Sequence, residues 1–265
     1  MNSDFNFILG KETSYPECYD KSLLCPINRP ERTLGMKGCD IWTAYEVSWL
    51  LPSGKPQVAI GQLTIPASSR FLIESKSYKL YLNSLNSLTL ASFDDVETLV
   101  TKDLCDVLKC DVTFELFALG DAPFFVTDFV GNCIDDLDIL ISNYSPTPDL
   151  LSVGSDEVEE TLVSHLFRSN CPVTSQPDWA SVQITYRGKG ICHKGLLAYL
   201  VSYRHHNGFH EHCVESIYVD ILSRCSPDSL SVYARFTRRG GLDINPFRST
   251  DIDYPLTHPI RLIRQ

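Results

Sequence analysis

The sequence contains no run of about 18 apolar residues, so no segment reads as a membrane-crossing helix. Its first residues, Met1-Asn2-Ser3-Asp4-Phe5, lack the basic stretch and apolar core of a secretory leader. There is no low-complexity tract and no Cys-x-x-Cys pair. There is also no Gly-rich dinucleotide fingerprint, so no Rossmann domain is expected. Basic residues are in deficit: 23 Lys and Arg stand against 33 Asp and Glu, for a net charge of -10. A chain this acidic is poorly suited to neutralising phosphates, and no nucleic-acid partner is expected. The ten cysteines, without leader or paired spacing, read as reduced thiols in a cytoplasmic protein.

At 265 residues and 43% hydrophobic, the chain can bury a sizeable core as one large or two ordinary domains. Two halves repeat one plan. In the first, Ile41–Leu50 and Gln57–Leu63 flank a Pro-Ser-Gly turn and read as a hairpin. Helices over roughly 77–87 and 94–107 follow, then strands over 111–119 and 123–129 around Gly120-Asp121. In the second, Trp179–Tyr186 alternates like a strand and ends at Arg187-Gly188-Lys189-Gly190, read as its turn. A helix then puts Leu196, Leu200 and Tyr203 on one face, and another does the same with Val214, Ile217, Tyr218 and Ile221. Leu230–Thr237 and Leu242–Phe247 close on Gly240-Gly241 as a last hairpin.

Tyr81-Leu82-Asn83-Ser84 is echoed by Tyr199-Leu200-Val201-Ser202, and Val96-Glu97 by Val214-Glu215. The polar, proline-bearing join lies near residue 145. The expected class is therefore α+β: two ββααββ units, 1–145 and 146–265, each an antiparallel sheet with helices on one face. Such sheets leave open edges, which association into a barrel would remove.

Four segments carry chemistry. Cys171 precedes a proline-bearing loop, with Asp178 seven residues on at a strand start. A cysteine there reads either as a thiolate nucleophile or as a small buried apolar residue. Phe209-His210-Glu211 falls where a Gly-containing loop becomes a helix. His210 suits proton transfer, and Glu211 suits two adjacent N–H donors of a guanine-like edge. The plainer reading is a first-turn Glu and solvated histidines. The same stretch, with His212 and Cys213 and with Cys192 or His193, has zinc-competent side chains, although its spacing matches no standard finger. Ile73-Glu74-Ser75-Lys76 ends a strand and starts a helix where an anion can sit. Arg238-Arg239-Gly240-Gly241 offers guanidinium groups and amides to phosphate, or is simply a solvated hairpin tip.

Taken in order, Glu74-Ser75-Lys76-Ser77-Tyr78-Lys79-Leu80-Tyr81, Cys171 with Gln176-Pro177-Asp178-Trp179, Phe209-His210-Glu211 and Arg238-Arg239-Gly240-Gly241 closely resemble the NADPH-dependent 7-cyano-7-deazaguanine reductases of queuosine biosynthesis. The likeness is to the longer, two-repeat type and runs from about Pro30 to Gln265. It implies tandem tunnelling-fold units assembling into a barrel, a homodimer, NADPH as cofactor and no metal. It implies a thioimide on Cys171, proton donation by Asp178 and a positioning role for His210. Ile73, Glu74, Ser75, His210 and Glu211 would contact the base, and Ser75, Lys76, Arg239 and Gly240 would contact NADPH. Two other classes stay open on the residues alone: a zinc-dependent hydrolase of the cyclohydrolase type, and a base-binding module without catalysis.

Overall fold

Strand and helix positions follow from where this chain can bury apolar faces, and the computed structural model describes residues 15–30, 36–123, 125–255 and 260–265. The Met1–Phe5 run lies outside the described residues. The chain divides into two compact units. One holds described residues of Met1–Leu34, Ile41–Pro123 and Arg239–Asp243; the other holds those of Gly35–Asp40, Phe124–Arg238 and Ile244–Gln265.

In the first unit, β1 (Pro26–Asn28) pairs antiparallel with β4 (Phe71–Ile73). β2 (Lys37–Leu50), β3 (Pro56–Pro66) and β5 (Thr113–Phe117) lie in the order β5-β3-β2. The expected turn joins β2 and β3, with the Leu51 N–H donating to the Lys55 carbonyl at 2.9 Å. Helices α1 (Ser75–Ser84) and α2 (Phe93–Leu108) follow. A capping box of Ser92 and Asp95 starts α2, satisfying amides that would otherwise lack partners. Val96, Val100, Leu104 and Leu108 recur at helical spacing and are buried.

The second unit holds β6 (Phe125–Val126), β7 (Asn132–Cys133), β8 (Val153–Ser164), β9 (Arg168–Asn170) and β10 (Pro177–Ile191). Helices α3 (His193–Ser202) and α4 (His210–Cys225) come next, then β11 (Ser229–Phe236), β12 (Leu242–Ser249) and β13 (Ile260–Arg261). The strand order is β12-β11-β10-β8-β7. Both helices pack on one face of this sheet. Leu196, Leu200, Val214, Ile217 and Ile221 share a core with Val182, Ile184 and Val232.

The mixed α+β class holds, with three local differences. Arg187–Gly190 is not a turn, because β10 runs on to Ile191 with a register shift between Lys189 and Ile191. Gly188, at φ +148°, serves close approach instead, since a Cβ there would lie 3.0 Å from the Pro227 Cα. The strand expected over 123–129 shrinks to β6, which pairs parallel with β13. Phe125 and Val126 stay exposed, and Pro123 offers no ladder donor. Finally, Val153–Ser164 forms a strand, β8, where the sequence pattern predicts none.

The internal echo is structural. Tyr81 donates to Asp103 of α2 at 2.7 Å, and Tyr199 donates to Asp220 of α4 at 2.5 Å. Ser84 and Ser202 each donate to the carbonyl of that tyrosine at 2.6 Å. Helices α1 and α3 have 10 residues each, and α2 and α4 have 16.

Candidate active site

Three chain segments meet around β9. On one side β9 pairs with the start of β10, matching Asn170 to Pro177 and Ser169 to Asp178. Residues 171–176 close that hairpin. The Cys171 N–H donates to the Gln176 carbonyl at 2.8 Å, and the Ser175 N–H donates to the Cys171 carbonyl at 3.0 Å. Ser175 takes the left-handed conformation, φ +56°, that closing so short a loop requires. Cys171 is thus fixed by its own backbone at the loop's first position.

On its other side β9 holds the approach to α4. The Asn170 N–H donates to the His206 carbonyl at 2.8 Å, and the Gly208 N–H donates back to the Asn170 carbonyl at 3.0 Å. Gly208 is needed there, since a Cβ would meet the His206 ring at 2.8 Å and the Cys213 sulfur at 3.3 Å. Helix α4 then opens at His210, whose Nε2 lies 3.3 Å from the Asp178 Oδ2. The imidazole lies flat on the Phe236 ring, 3.8 Å between centroids and 4° from parallel. Its Nδ1 is buried and has no hydrogen-bond partner among the described residues. Next to Asp178, Trp179 carries the guanidinium groups of Arg168 and Arg204 at 5.5 and 5.4 Å from its ring centre.

The group is dry: exposure is 2% for Cys171, 5% for Asp178, 9% for His210 and 3% for Glu211. Low local dielectric strengthens interactions among such groups. Glu211 sits in the first turn of α4, where the helix dipole favours a negative charge. Cys213, also buried in this unit, has its thiol pushed up to about 12 by burial. It therefore stays protonated near neutrality and is a poor nucleophile. Cys213→Ala is expected to keep turnover within about tenfold of wild type, because attack does not pass through it. Steady-state kinetics check this, and a collapse of kcat would assign Cys213 a direct part.

The remaining sequence candidates lie in the first unit. Ile73 ends β4, and Glu74 caps α1. Its carboxylate accepts the Lys76 N–H at 2.8 Å and the Ser77 N–H at 2.7 Å. Burial raises its pKa, and these two bonds together with the Lys76 and Arg239 charges oppose the rise. Ser75 and Lys76 are half-buried on the first turn. Arg239 and Leu242 exchange backbone hydrogen bonds at 2.8 and 3.1 Å around Gly240 and Gly241, both at positive φ. Lys79 donates to the Gly240 carbonyl at 2.5 Å and to Glu46 at 3.1 Å, fixing that turn.

Sequence reasoning missed Phe236, Lys79 as the anchor of the turn, and Glu74 as a cap. Only the last had a local signal, its place just before a helical pattern. The zinc reading of the His210 stretch finds no support. His193 turns to Glu160 at 3.1 Å, and among the described residues the side chains grouped closely enough for a metal are Cys133, Asp135 and His165.

A buried thiol on the hairpin that also carries a buried carboxylate, with an imidazole 3.3 Å from that carboxylate, is the equipment of an enzyme that attacks electrophilic carbon and moves protons. Residues 15–116 match the family model described as nitrile reductase, 7-cyano-7-deazaguanine-reductase N-term, and residues 177–254 match that of QueF-like proteins. The NADPH-dependent 7-cyano-7-deazaguanine reductase of Chromohalobacter salexigens is 48% identical over 266 residues, covering 97% of this chain and 96% of that one. The reductase of the same name from Desulfotalea psychrophila is 48% identical over 268 residues, with the same coverage of 97% and 96%. The chain belongs to the family of NADPH-dependent 7-cyano-7-deazaguanine reductases. A solved apo archaeosine synthase QueF-Like covers 36% of this chain and 94% of its own at 16% identity and a TM-score of 0.31, too slight a likeness to argue from.

Proposed function

We propose that this chain reduces the nitrile of 7-cyano-7-deazaguanine to the 7-aminomethyl base with NADPH, in queuosine biosynthesis, through a thioimide on Cys171. The observation that carries this is the buried Asp178–His210 pair, 3.3 Å apart, with Asp178 on the same hairpin as a buried, backbone-fixed Cys171.

The Cys171 sulfur adds to the nitrile carbon, and the π electron pair moves to nitrogen. Asp178 gives that nitrogen a proton, since an unprotonated anion in a dry site would be costly. NADPH, when bound, supplies a hydride twice per turnover, first to the thioimide carbon and then to the imine carbon. Between the two rounds Cys171 leaves as thiolate and the imine forms, and the same Asp178–His210 pair gives the nitrogen its second proton as the imine becomes the amine. His210, held flat by Phe236, positions Asp178 and relays its proton. The side chains around the pair exclude water that would otherwise hydrolyse the intermediates. Glu211 reads the guanine-like edge, with Ile73, Glu74 and Ser75 as further base contacts.

Ser75, Lys76, Arg239 and Gly240 are assigned to NADPH. The donor set fits a phosphorylated dinucleotide: two cationic side chains stand at a helix start and at a glycine turn. The α1 amides of Lys76 and Ser77 already donate to Glu74, so the phosphates rest on side chains. We further read the chain as tandem tunnelling-fold repeats, 1–145 and 146–265, that associate as a homodimer to close barrels. The matched helix pairs support the duplication, and open sheet edges favour association. Ten free thiols suit a reducing, cytoplasmic setting.

The test is turnover of the base with NADPH in wild type and Asp178→Asn. Two NADPH oxidised per base, with the amine as product, is the expected stoichiometry. Asp178→Asn is expected to lose about 10²- to 10⁴-fold in kcat with little change in base affinity. An unchanged kcat would remove Asp178 from proton delivery, and absence of amine product would sink the proposed reaction.

A further inference from the structure

The Cys133-Ile134-Asp135-Asp136 stretch and His165 have no part in the reduction described above. They lie together at the edge of the second unit's sheet. Strand β7 pairs parallel with β8, setting Cys133 opposite Val163, and the Ile134 N–H donates to the Val163 carbonyl at 3.0 Å. Side chains alternate along a strand, so Cys133 and Asp135 share a face. The pairing carries on past β7 and brings Asp135 to His165. The Asp135 Oδ2 accepts the His165 N–H at 2.9 Å, and its Oδ1 accepts the Ser164 hydroxyl at 2.6 Å. The ligand atoms of Cys133, Asp135 and His165 all lie within 4.8 Å of one another.

We propose that Cys133, Asp135 and His165 form a zinc site that clamps β7 onto β8. One thiolate, one carboxylate and one imidazole, with water as the fourth ligand, satisfy the tetrahedral preference of zinc. Sulfur and nitrogen donors disfavour magnesium and calcium, which take oxygen.

The surroundings have the supports that metal ligands need. The Ser181 hydroxyl on β10 lies 2.8 Å from the His165 Nδ1 and orients the ring. Arg264 donates to the His165 carbonyl at 2.8 Å and fixes its backbone. Both Asp135 oxygens are already oriented by bonds from β8 and the residue after it. Asp136, next in sequence, adds negative charge that favours a cation.

A clamp is useful here because β7 is short. The strand itself is two residues long, Asn132 and Cys133, and both are exposed. The preceding residue is a glycine at φ +153° whose Cβ would lie 2.8 Å from the Thr161 carbonyl oxygen, so the segment already approaches β8 as closely as a backbone can. Val130 is tied down by Gln183, which donates to its carbonyl at 2.8 Å. A metal cross-link stabilises the folded chain by mass action, independently of turnover.

The experiment titrates zinc chloride into the full-length chain: wild type, Cys171→Ala, Cys133→Ser and His165→Gln. Calorimetry gives the stoichiometry, and thermal melts with and without zinc give the stabilisation. Cobalt chloride, substituted for zinc, gives the thiolate-to-metal charge-transfer band. Expected are one zinc per chain and a raised Tm in wild type and Cys171→Ala. Cys133→Ser and His165→Gln should each bind at least about tenfold more weakly, and Cys133→Ser should lose the band. Because Cys133 is exposed, its serine variant should melt like wild type without metal. No zinc in the wild type, binding that survives both Cys133→Ser and His165→Gln, or binding lost in Cys171→Ala would each overturn the proposal.

Discussion

Cys171→Ala is expected to drop turnover by about 10⁴-fold or more while base binding persists. The size follows from the nucleophilic role proposed for the sulfur. Without a nucleophile there is no covalent adduct, and hydride would have to reach a free nitrile, a poor acceptor. The fold should survive, because the change removes one sulfur atom from a loop whose backbone bonds, Cys171 to Gln176 and Ser175 to Cys171, do not involve it. Calorimetric affinity for the base separates this outcome from unfolding: a variant that binds normally but does not turn over has lost chemistry alone. If Cys171→Ala kept a tenth of wild-type kcat, the thiolate route would be wrong.

Arg248→Met is expected to cost about 3–5 kcal/mol of stability, enough to unfold many domains of ordinary stability. Arg248 lies fully buried between two buried carboxylates, with Nη1 2.8 Å from Asp40 and Nη2 2.8 Å from Glu215. Nη1 also donates to the Phe247 carbonyl at 2.8 Å and the Cys39 carbonyl at 3.1 Å. Burial alone would lower the guanidinium pKa, but the charges of Asp40 and Glu215 override it and hold the group ionised. Removing the cation takes the guanidinium charge from two buried carboxylates, and the desolvation that charge offsets is the main cost. Arg248→Lys, which retains the charge but not the fork, should lose less. Urea midpoints at constant slope measure both. A Met variant within about 1 kcal/mol of wild type would show that the carboxylates find other partners or protons.

The sequence revealed most where burial has a period. The stripes Leu196-Leu200-Tyr203 and Val214-Ile217-Tyr218-Ile221 gave α3 and α4, and Gly240-Gly241 gave the last turn. Strand β8 escaped because only its end is buried. Along Ser155-Asp156-Glu157-Val158-Glu159-Glu160 no apolar alternation survives for a periodic reading to find. The glycines at 188 and 190 suggested a reversal where the chain needed a bulge and room for Pro227. Glu74 went unread as a cap because Glu is not among the usual capping residues.

In the candidate site, Cys171 and Asp178 stand close in sequence because one short hairpin holds both. His210 reaches Asp178 through bonds between Asn170 and the 206–208 segment, which no spacing announces. Phe236 arrives through the β10–β11 register, opposite Ala180. The same is true of Arg248, whose partners stand at positions 40 and 215. Pairings of this kind are made by the fold, and a single sequence does not contain them in readable form.

The most direct test of the central claim is intact-protein mass spectrometry after adding 7-cyano-7-deazaguanine without NADPH. A mass increase equal to the base in wild type, absent in Cys171→Ala and cleared when NADPH is added, is the predicted result. A wild-type chain that binds the base yet shows no increase would contradict covalent reduction at Cys171.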